Sequence, residues 1–416
     1  MESIAQEFSD VQNEDCSPYS EYIRSFNADQ LRIFGKIISS LHAQFPSIPI
    51  PNNVSFLLKV SNPKPIFMFV SGYGGTGKSY LIKGLTSYVK QVFKSHVALM
   101  APTGIAASNI NGLTVHRLLQ LPIQHGSVPP YFPLADHSLH QLKTVYDDVI
   151  LFILDEISMV NNLNFVYIHK RLCELSSEPV TLMGGRNLLV LGDLLQLSPV
   201  SHGPVFADLS SLEKEKLNAF ITVNIWHAIS YDELTENVRQ IGDPRYAKLL
   251  KDVRLGSIDP EDEEWLLDNC IFRYSSKNQE DQRKEIATFV HDNKIEGRDY
   301  TILVPTNAIA NQLNEAVLNT LDGPKFLLEA TDCIAFRHST KAIDKMTKAR
   351  IKKIEEDARQ TAGLESCLTV KKRLQSNVTP EYRCFQRSLQ RIYRRVERLH
   401  CPAIKQKKYR RTSNSI

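Results

Sequence analysis

The chain has 416 residues, 42% of them hydrophobic and 23% charged, which predicts a globular protein of two or three domains with a sizeable core. Its first residues, Met1-Glu2-Ser3-Ile4-Ala5-Gln6-Glu7, are acidic and polar and exclude a secretory signal, and no apolar run approaches the roughly 18 residues that span a bilayer, so a soluble protein is expected. The net charge of +4 hides an asymmetry: residues 337–416 hold 22 of the 50 Lys and Arg but only 7 of the 46 Asp and Glu, leaving 28 basic and 39 acidic residues before them.

Residues 1–21 read as a polar leader. Then Phe26-Asn27-Ala28-Asp29-Gln30 precedes Leu31, Phe34, Ile37, Ile38 and Leu41 at helical spacing, a capped amphipathic helix. Gln30 is a candidate adenine reader, because a Gln amide can pair bidentately with one edge of adenine; an exposed first-turn Gln is the commoner case. A linker rich in Pro and Asn, residues 46–65, leads to Pro65-Ile66-Phe67-Met68-Phe69-Val70, of buried-strand type.

The strand runs into Gly72-Tyr73-Gly74-Gly75-Thr76-Gly77-Lys78-Ser79, which fits G-x-x-x-x-G-K-[ST] at every fixed position. A helix follows over residues 80–92, with Leu81, Leu85 and Val89 on one face. Strand, loop and helix together make this a phosphate loop. Backbone N–H groups of Gly72, Gly74, Gly75, Thr76 and Gly77 close around phosphates, Lys78 reaches the β and γ oxygens, and Ser79 binds Mg²⁺.

His96-Val97-Ala98-Leu99-Met100 is a second buried strand, ending in the small-residue turn Ala101-Pro102-Thr103-Gly104-Ile105-Ala106-Ala107. His116 lies in a short turn and helix over residues 112–119, where on its own a structural role is commoner than a functional one. The strand Val149-Ile150-Leu151-Phe152-Ile153-Leu154 delivers Asp155-Glu156 at its C-terminal end, 77 positions after Lys78. Asp155 is placed to hold Mg²⁺ and Glu156 to polarise the attacking water.

A third strand, residues 187–191, leads to Gly192-Asp193-Leu194-Leu195-Gln196, with Gln196 where a γ-phosphate sensor belongs. Arg239 falls in the polar run Asp232-Glu233-Leu234-Thr235-Glu236-Asn237-Val238-Arg239-Gln240, and Thr301-Ile302-Leu303-Val304-Pro305-Thr306-Asn307 opens another strand-turn-helix unit. The alternation predicts an α/β protein with a mostly parallel, doubly wound sheet, repeated as a smaller unit after about residue 226. The seven cysteines, Cys16, Cys173, Cys270, Cys333, Cys367, Cys384 and Cys401, form no C-x-x-C pair and no zinc spacing, which suits reduced thiols.

In order, these motifs resemble the PIF (petite integration frequency) family of superfamily-one DNA helicases, particularly the branch carried by Helitron-type transposons. The resemblance covers about residues 22–334, with a weaker trace from Thr361-Ala362-Gly363-Leu364-Glu365 to Lys371. It implies a RecA-like P-loop NTPase: a first ATP-binding lobe at 22–225, a partial second lobe at 226–336 and a basic tail at 337–416. It implies ATP and Mg²⁺ as ligands, Lys78, Glu156, Gln196 and Arg239 as catalytic, Ser79 and Asp155 on the metal, and Thr103, Gly104 and His116 on single-stranded DNA.

The implied activity is ATP-driven 5′ to 3′ unwinding of DNA, including junctions, in recombination, repair, telomere maintenance or transposition. A monomer in the nucleus, with the mitochondrion as alternative, goes with it. Two departures stand out. Ser198 replaces a usual proline, and the family's G-x-x-V-M segment, Ser-Gln-Gly triplet and Tyr-Val-Ala-Leu-Ser-Arg run do not occur. The last of these supplies an arginine finger, typically worth about 10³ to 10⁵ in rate. The resemblance therefore also admits a truncated, nucleotide-dependent DNA-binding fragment with little unwinding. In the tail, Phe385, Leu389, Ile392, Val396 and Leu399 at spacings of 4, 3, 4 and 3 predict a basic amphipathic helix, and Lys405-Gln406-Lys407-Lys408-Tyr409-Arg410-Arg411 a phosphate-contacting or import patch. A tail left by truncation or mis-splicing is the alternative.

Overall fold

The computed structural model describes residues 2–12, 17–60, 62–122, 131–200, 202–217, 224–240, 242–295, 302–323, 325–329 and 367–371. The chain forms two compact units, Met1–Asn269 and Cys270–Ile416.

The first unit is built on continuous apolar runs. β1 (Phe67–Gly72), β2 (His96–Ala101), β4 (Val149–Leu154) and β5 (Leu188–Gly192) are buried almost throughout, because each strand offers apolar side chains to both faces of the sheet. Phe69, Ala98, Met100, Phe152, Leu154, Leu188 and Val190 enter one core; Met68, Val70, Val97, Leu99, Leu151, Ile153, Leu189 and Leu191 enter the other. The strict alternation of neighbours between the two cores is the period-two pleat of a strand. With the short β3 (Leu113–Thr114) and β6 (Ser230–Leu234) the sheet has six strands in the order β3-β2-β4-β5-β1-β6, and every pairing is parallel.

Parallel neighbours require crossovers, and the helices supply them on both faces. α3 (Ala28–Gln44) and α4 (Lys78–Tyr88) bury Ile33, Phe34, Ile37, Ile38, Leu81, Ile82 and Leu85 in the second core. On the first core lie Val115 and Leu118 of α6 (Val115–Leu118), Leu142 of α7 (Asp136–Val145) and Phe165, Ile168 and Leu172 of α8 (Asn162–Glu174). Leu151 is fully buried in the second core, so Leu151→Ala is expected to cost about 2–5 kcal/mol, read as a lowered thermal unfolding midpoint.

Two expectations change in this unit. The polar leader contains the helix α1 (Glu2–Gln12), with α2 (Tyr19–Ser25) beginning at its end. Ile4 and Phe8, four residues apart, are buried in the first core; Phe8 meets the Tyr146 ring edge-on at 5.3 Å, and the Gln12 amide donates to the Val97 carbonyl at 2.8 Å. Two apolar residues suffice to dock a helix that reads as polar. The first lobe also runs past the expected boundary at 225. β6 is its edge strand, paired with β1 from Met68↔Ser230 to Gly72↔Leu234, and α10 (Pro244–Leu255) and α11 (Pro260–Asn269) belong to the same unit. Only Leu234 of β6 is buried, which is why the strand reads as a polar run.

In the second unit the described residues form α12 (Gln279–Ile295), α13 (Asn307–Thr320) and an antiparallel pair, β7 (Lys325–Glu329) with β8 (Cys367–Lys371). The helix expected after Asn307 is present, capped by Thr306, whose hydroxyl accepts from the Ile309 N–H at 3.3 Å. The strand expected before it is not: residues 302–306 carry no ladder, and among the described residues this unit holds no parallel pair. A buried-type segment becomes a strand only where a neighbour accepts its backbone. Apart from 367–371, the tail at 337–416 lies outside the described residues. Among the described residues no helix is long and apolar enough to cross a membrane.

Candidate nucleotide site

All six strands being parallel, the loops that leave their C-terminal ends emerge at one edge of the sheet, where open α/β folds bind ligands. The phosphate loop follows β1. Gly75 and Gly77 have φ of +92° and +81°, which only glycine adopts freely, and Gly77 opens α4, whose N-terminal amides point into the loop. A Cβ on Gly75 would come within 2.8 Å of Arg239 Cβ and of Asn237 Oδ1; one on Gly77 would strike the Gln30 amide. The loop is thus packed on both flanks by segments distant in sequence. Lys78 is buried, and its ammonium donates to the Gly72 carbonyl at 2.6 Å and the Tyr73 carbonyl at 3.4 Å. Ser79 is exposed at the first turn of α4.

Gln30 is 3% exposed and its amide is engaged at both ends. Its oxygen accepts from the Asn27 N–H at 3.0 Å, closing a capping box, and its nitrogen donates to the Gly77 carbonyl at 3.4 Å. An adenine contact would require one of these bonds to open. On the other flank, the Val238 N–H donates to the Gly75 carbonyl at 2.9 Å, and Asn237 accepts from the Arg239 and Gln240 N–H groups at 2.9 and 3.1 Å, so the Arg239 backbone is fixed beside the loop while its side chain is exposed.

Asp155, 4% exposed, directly follows the last residue of β4. Burial and the neighbouring Glu156 push its carboxyl up to about 6, against the opposing pull of the Glu156 N–H and Lys78. Glu156 holds left-handed backbone angles, φ 54° and ψ 49°, conformational strain of about 1–3 kcal/mol for a residue with a side chain. A Cβ on Gly192, at the end of β5, would lie 2.8 Å from the Ile157 nitrogen, so β5 braces this turn. Among the described residues no three His, Cys, Asp or Glu side chains converge on a metal position. A divalent cation here would rest on Asp155, Ser79 and phosphate oxygens, the donor set Mg²⁺ takes beside nucleotides. A buried carboxylate short of neutralisation fits it.

In metal-free protein the Asp155 shift has a sign. Its folded value lies above its ordinary 3.8, so the native state binds the extra proton between pH 4 and 6 and loses stability as pH rises through that window. Asp155→Asn, which keeps the acceptor for Glu156, is expected to raise the melting temperature of the metal-free chain at pH 7.5 and to do so less at pH 5; an equal gain at both would contradict the shift.

Beyond β5, Asp193 is fully buried although it was given no role by its motif. Arg254, on α10, grips it with a two-pronged fork, Nε to Oδ2 at 2.8 Å and Nη2 to Oδ1 at 2.7 Å. Burial raises the Asp193 carboxyl, but the fork, the Leu195 N–H and Lys78 more than offset it and hold it low. The Asp193 carbonyl accepts from the Gln196 N–H at 3.0 Å, and the Gln196 side chain is exposed. Sequence reading missed Arg254, which lies 61 positions from its partner in a helix with no motif.

The remaining candidates lie along the same edge toward β3. Thr103 caps α5 (Gly104–Asn109), accepting from the Ala106 N–H at 3.2 Å. Nothing stands within 4 Å of a Cβ on Gly104. His116 is half-buried in α6, and burial lowers its pKa, keeping the ring neutral at pH 7.

A family model for the PIF1-like helicase matches residues 54–264, just over half of the chain. The chain belongs to that family. Among curated relatives it is similar to the ATP-dependent DNA helicase PIF1 of Saccharomyces cerevisiae, 29% identical over 202 residues, 47% of this chain and 22% of that protein. The enzyme of the same name from Emericella nidulans is 26% identical over 289 residues, 68% of this chain and 35% of that protein. The chain thus spans about a fifth to a third of the curated relatives it matches. The crystal structure of Pif1 helicase from Candida albicans shares the fold, with a TM-score of 0.53 at 20% identity over 83% of this chain and 63% of that one. The α/β architecture of the first unit is therefore that of PIF1-like helicases.

Proposed function

We propose that this PIF1-like chain is the ATP-hydrolysing core of a 5′ to 3′ DNA helicase acting on single-stranded DNA or junctions in recombination, repair or transposition, in the nucleus and as a monomer. The observation that carries the reading is one juxtaposition: Lys78, Asp155 and Asp193, from three different strand-end loops, are close enough that the Lys78 charge acts on both carboxyls, opposing the rise that burial imposes on Asp155 and helping to hold Asp193 low. Family membership supports the substrate class.

The mechanism follows from the residues. The loop glycines turn their N–H groups toward the β- and γ-phosphates, and the Lys78 ammonium leaves the Gly72 and Tyr73 carbonyls to meet them. Ser79 and Asp155 would hold Mg²⁺, which when bound would supply positive charge at the phosphate oxygens. Glu156, beside Asp155 and half-buried, polarises the attacking water; Gln196, hung from the Asp193 turn, and Arg239, fixed beside Gly75, are placed to contact the γ-phosphate. Thr103, Gly104 and His116 line the same edge, so a single strand lying there would be gripped differently before and after hydrolysis. Phosphate release measured with and without a single-stranded oligonucleotide tests the reading. DNA-stimulated turnover supports it, and no turnover with any strand rejects it. Nucleotide and strand binding without turnover would favour the alternative of a DNA-binding fragment.

A further inference from the structure

The Arg254 fork is not explained by packing. α10 contributes Leu249 as its buried residue, while Tyr246, Leu250, Val253 and Leu255 are exposed, so the helix lies on the surface of the unit. Yet Arg254, in its last turn, reaches a carboxylate that is 1% exposed at the phosphate end of the site. There the Asp193 carboxylate is saturated: Oδ1 accepts from the Leu195 N–H at 3.1 Å and from the guanidinium, and Oδ2 accepts the second prong. The guanidinium also lies over the ring of Tyr73, 5.7 Å from its centroid. Tyr73 is part of the phosphate loop; its carbonyl accepts from the Thr76 hydroxyl at 2.9 Å and its own hydroxyl donates to the Thr235 carbonyl at 3.0 Å.

One cation therefore touches both halves of the site, the turn that presents Gln196 and the loop that presents Lys78. We infer that Arg254 is a positioning residue of the nucleotide site, holding the Asp193–Gln196 turn in register with the phosphate loop so that the γ-phosphate meets Gln196 and Lys78 together. This rests on the ATPase reading above. The fork supplies what the role requires: two parallel bonds fix the carboxylate in plane, which an ammonium cannot do.

The test uses the full chain with Arg254→Ala, Arg254→Lys, Asp193→Asn and the double variant Arg254→Ala/Asp193→Asn, assayed where each retains native circular dichroism. Misplacement of a sensor by about 1 Å costs about 10²-fold in turnover, so the alanine variant should lose about that in DNA-stimulated kcat with KM for ATP little changed, and lysine should recover little of it. The double variant discriminates. If Arg254 only neutralises a buried carboxylate, removing both charges restores kcat and the inference fails; if it positions, kcat stays low. Amide hydrogen exchange keeps the claim open to test apart from turnover: the alanine variant should exchange faster at residues 193–197 and 73–78. Unchanged exchange there overturns the inference even if the wild-type chain hydrolyses no ATP, an outcome that would by itself reject only the ATPase reading.

Discussion

Lys78→Ala is expected to abolish the proposed DNA-stimulated ATP hydrolysis, lowering kcat by about 10³-fold or more, the scale on which preorganised charge at a transferring phosphoryl group acts. The ammonium is buried and donates to the Gly72 and Tyr73 carbonyls, at 2.6 and 3.4 Å. It is also a positive charge that pulls against the burial-raised Asp155 carboxyl and helps hold the Asp193 carboxyl low. Its removal leaves the buried Asp155 carboxylate with no cation opposing it beside the phosphate loop, while Asp193 stays paired to Arg254, so the local field turns against an anionic substrate. Nucleotide affinity is therefore expected to fall along with kcat. The fold should persist, because the α4 core residues Leu81, Ile82 and Leu85 are untouched. Phosphate release and a thermal melt of the same preparation check both parts.

Glu156→Gln separates chemistry from binding. The glutamine keeps the volume and the left-handed turn that Gly192 braces, but it cannot draw a proton from water. General-base removal is typically worth about 10² to 10⁴ in rate, so kcat is expected to drop by that much while ATP affinity holds near that of the wild type. The variant should accumulate bound ATP in a rapid-quench experiment. A variant that hydrolyses ATP at the wild-type rate would move the base elsewhere.

What could be read from the sequence follows from how many constraints each residue obeys. β2, β4 and β5 were legible because strands buried on both faces have no polar positions to confuse the pattern. The phosphate loop was legible because Gly75 and Gly77 occupy backbone regions that other residues enter only with strain. The helix capped at Asn27 was legible too, but not that its Gln30 amide closes on Gly77, since contacts across 47 positions leave no local trace. The same holds for Arg254 and Asp193. α1 escaped because Ile4 and Phe8 alone anchor it, and β6 because an edge strand buries little. Of the unit expected near residue 301 the helix is present, and the strand is absent among the described residues 302–306 for the complementary reason. An apolar segment announces that it can be buried, whereas its partner decides whether it becomes a strand.

The central claim is that the loops at this sheet edge form one ATP-hydrolysing site coupled to DNA. Steady-state phosphate release by the full chain, titrated with a single-stranded oligonucleotide in Mg²⁺ and ATP, tests it most directly. The predicted result is a saturable rise with added strand that Lys78→Ala removes. The same release with and without DNA, or activity retained in Lys78→Ala, would contradict it.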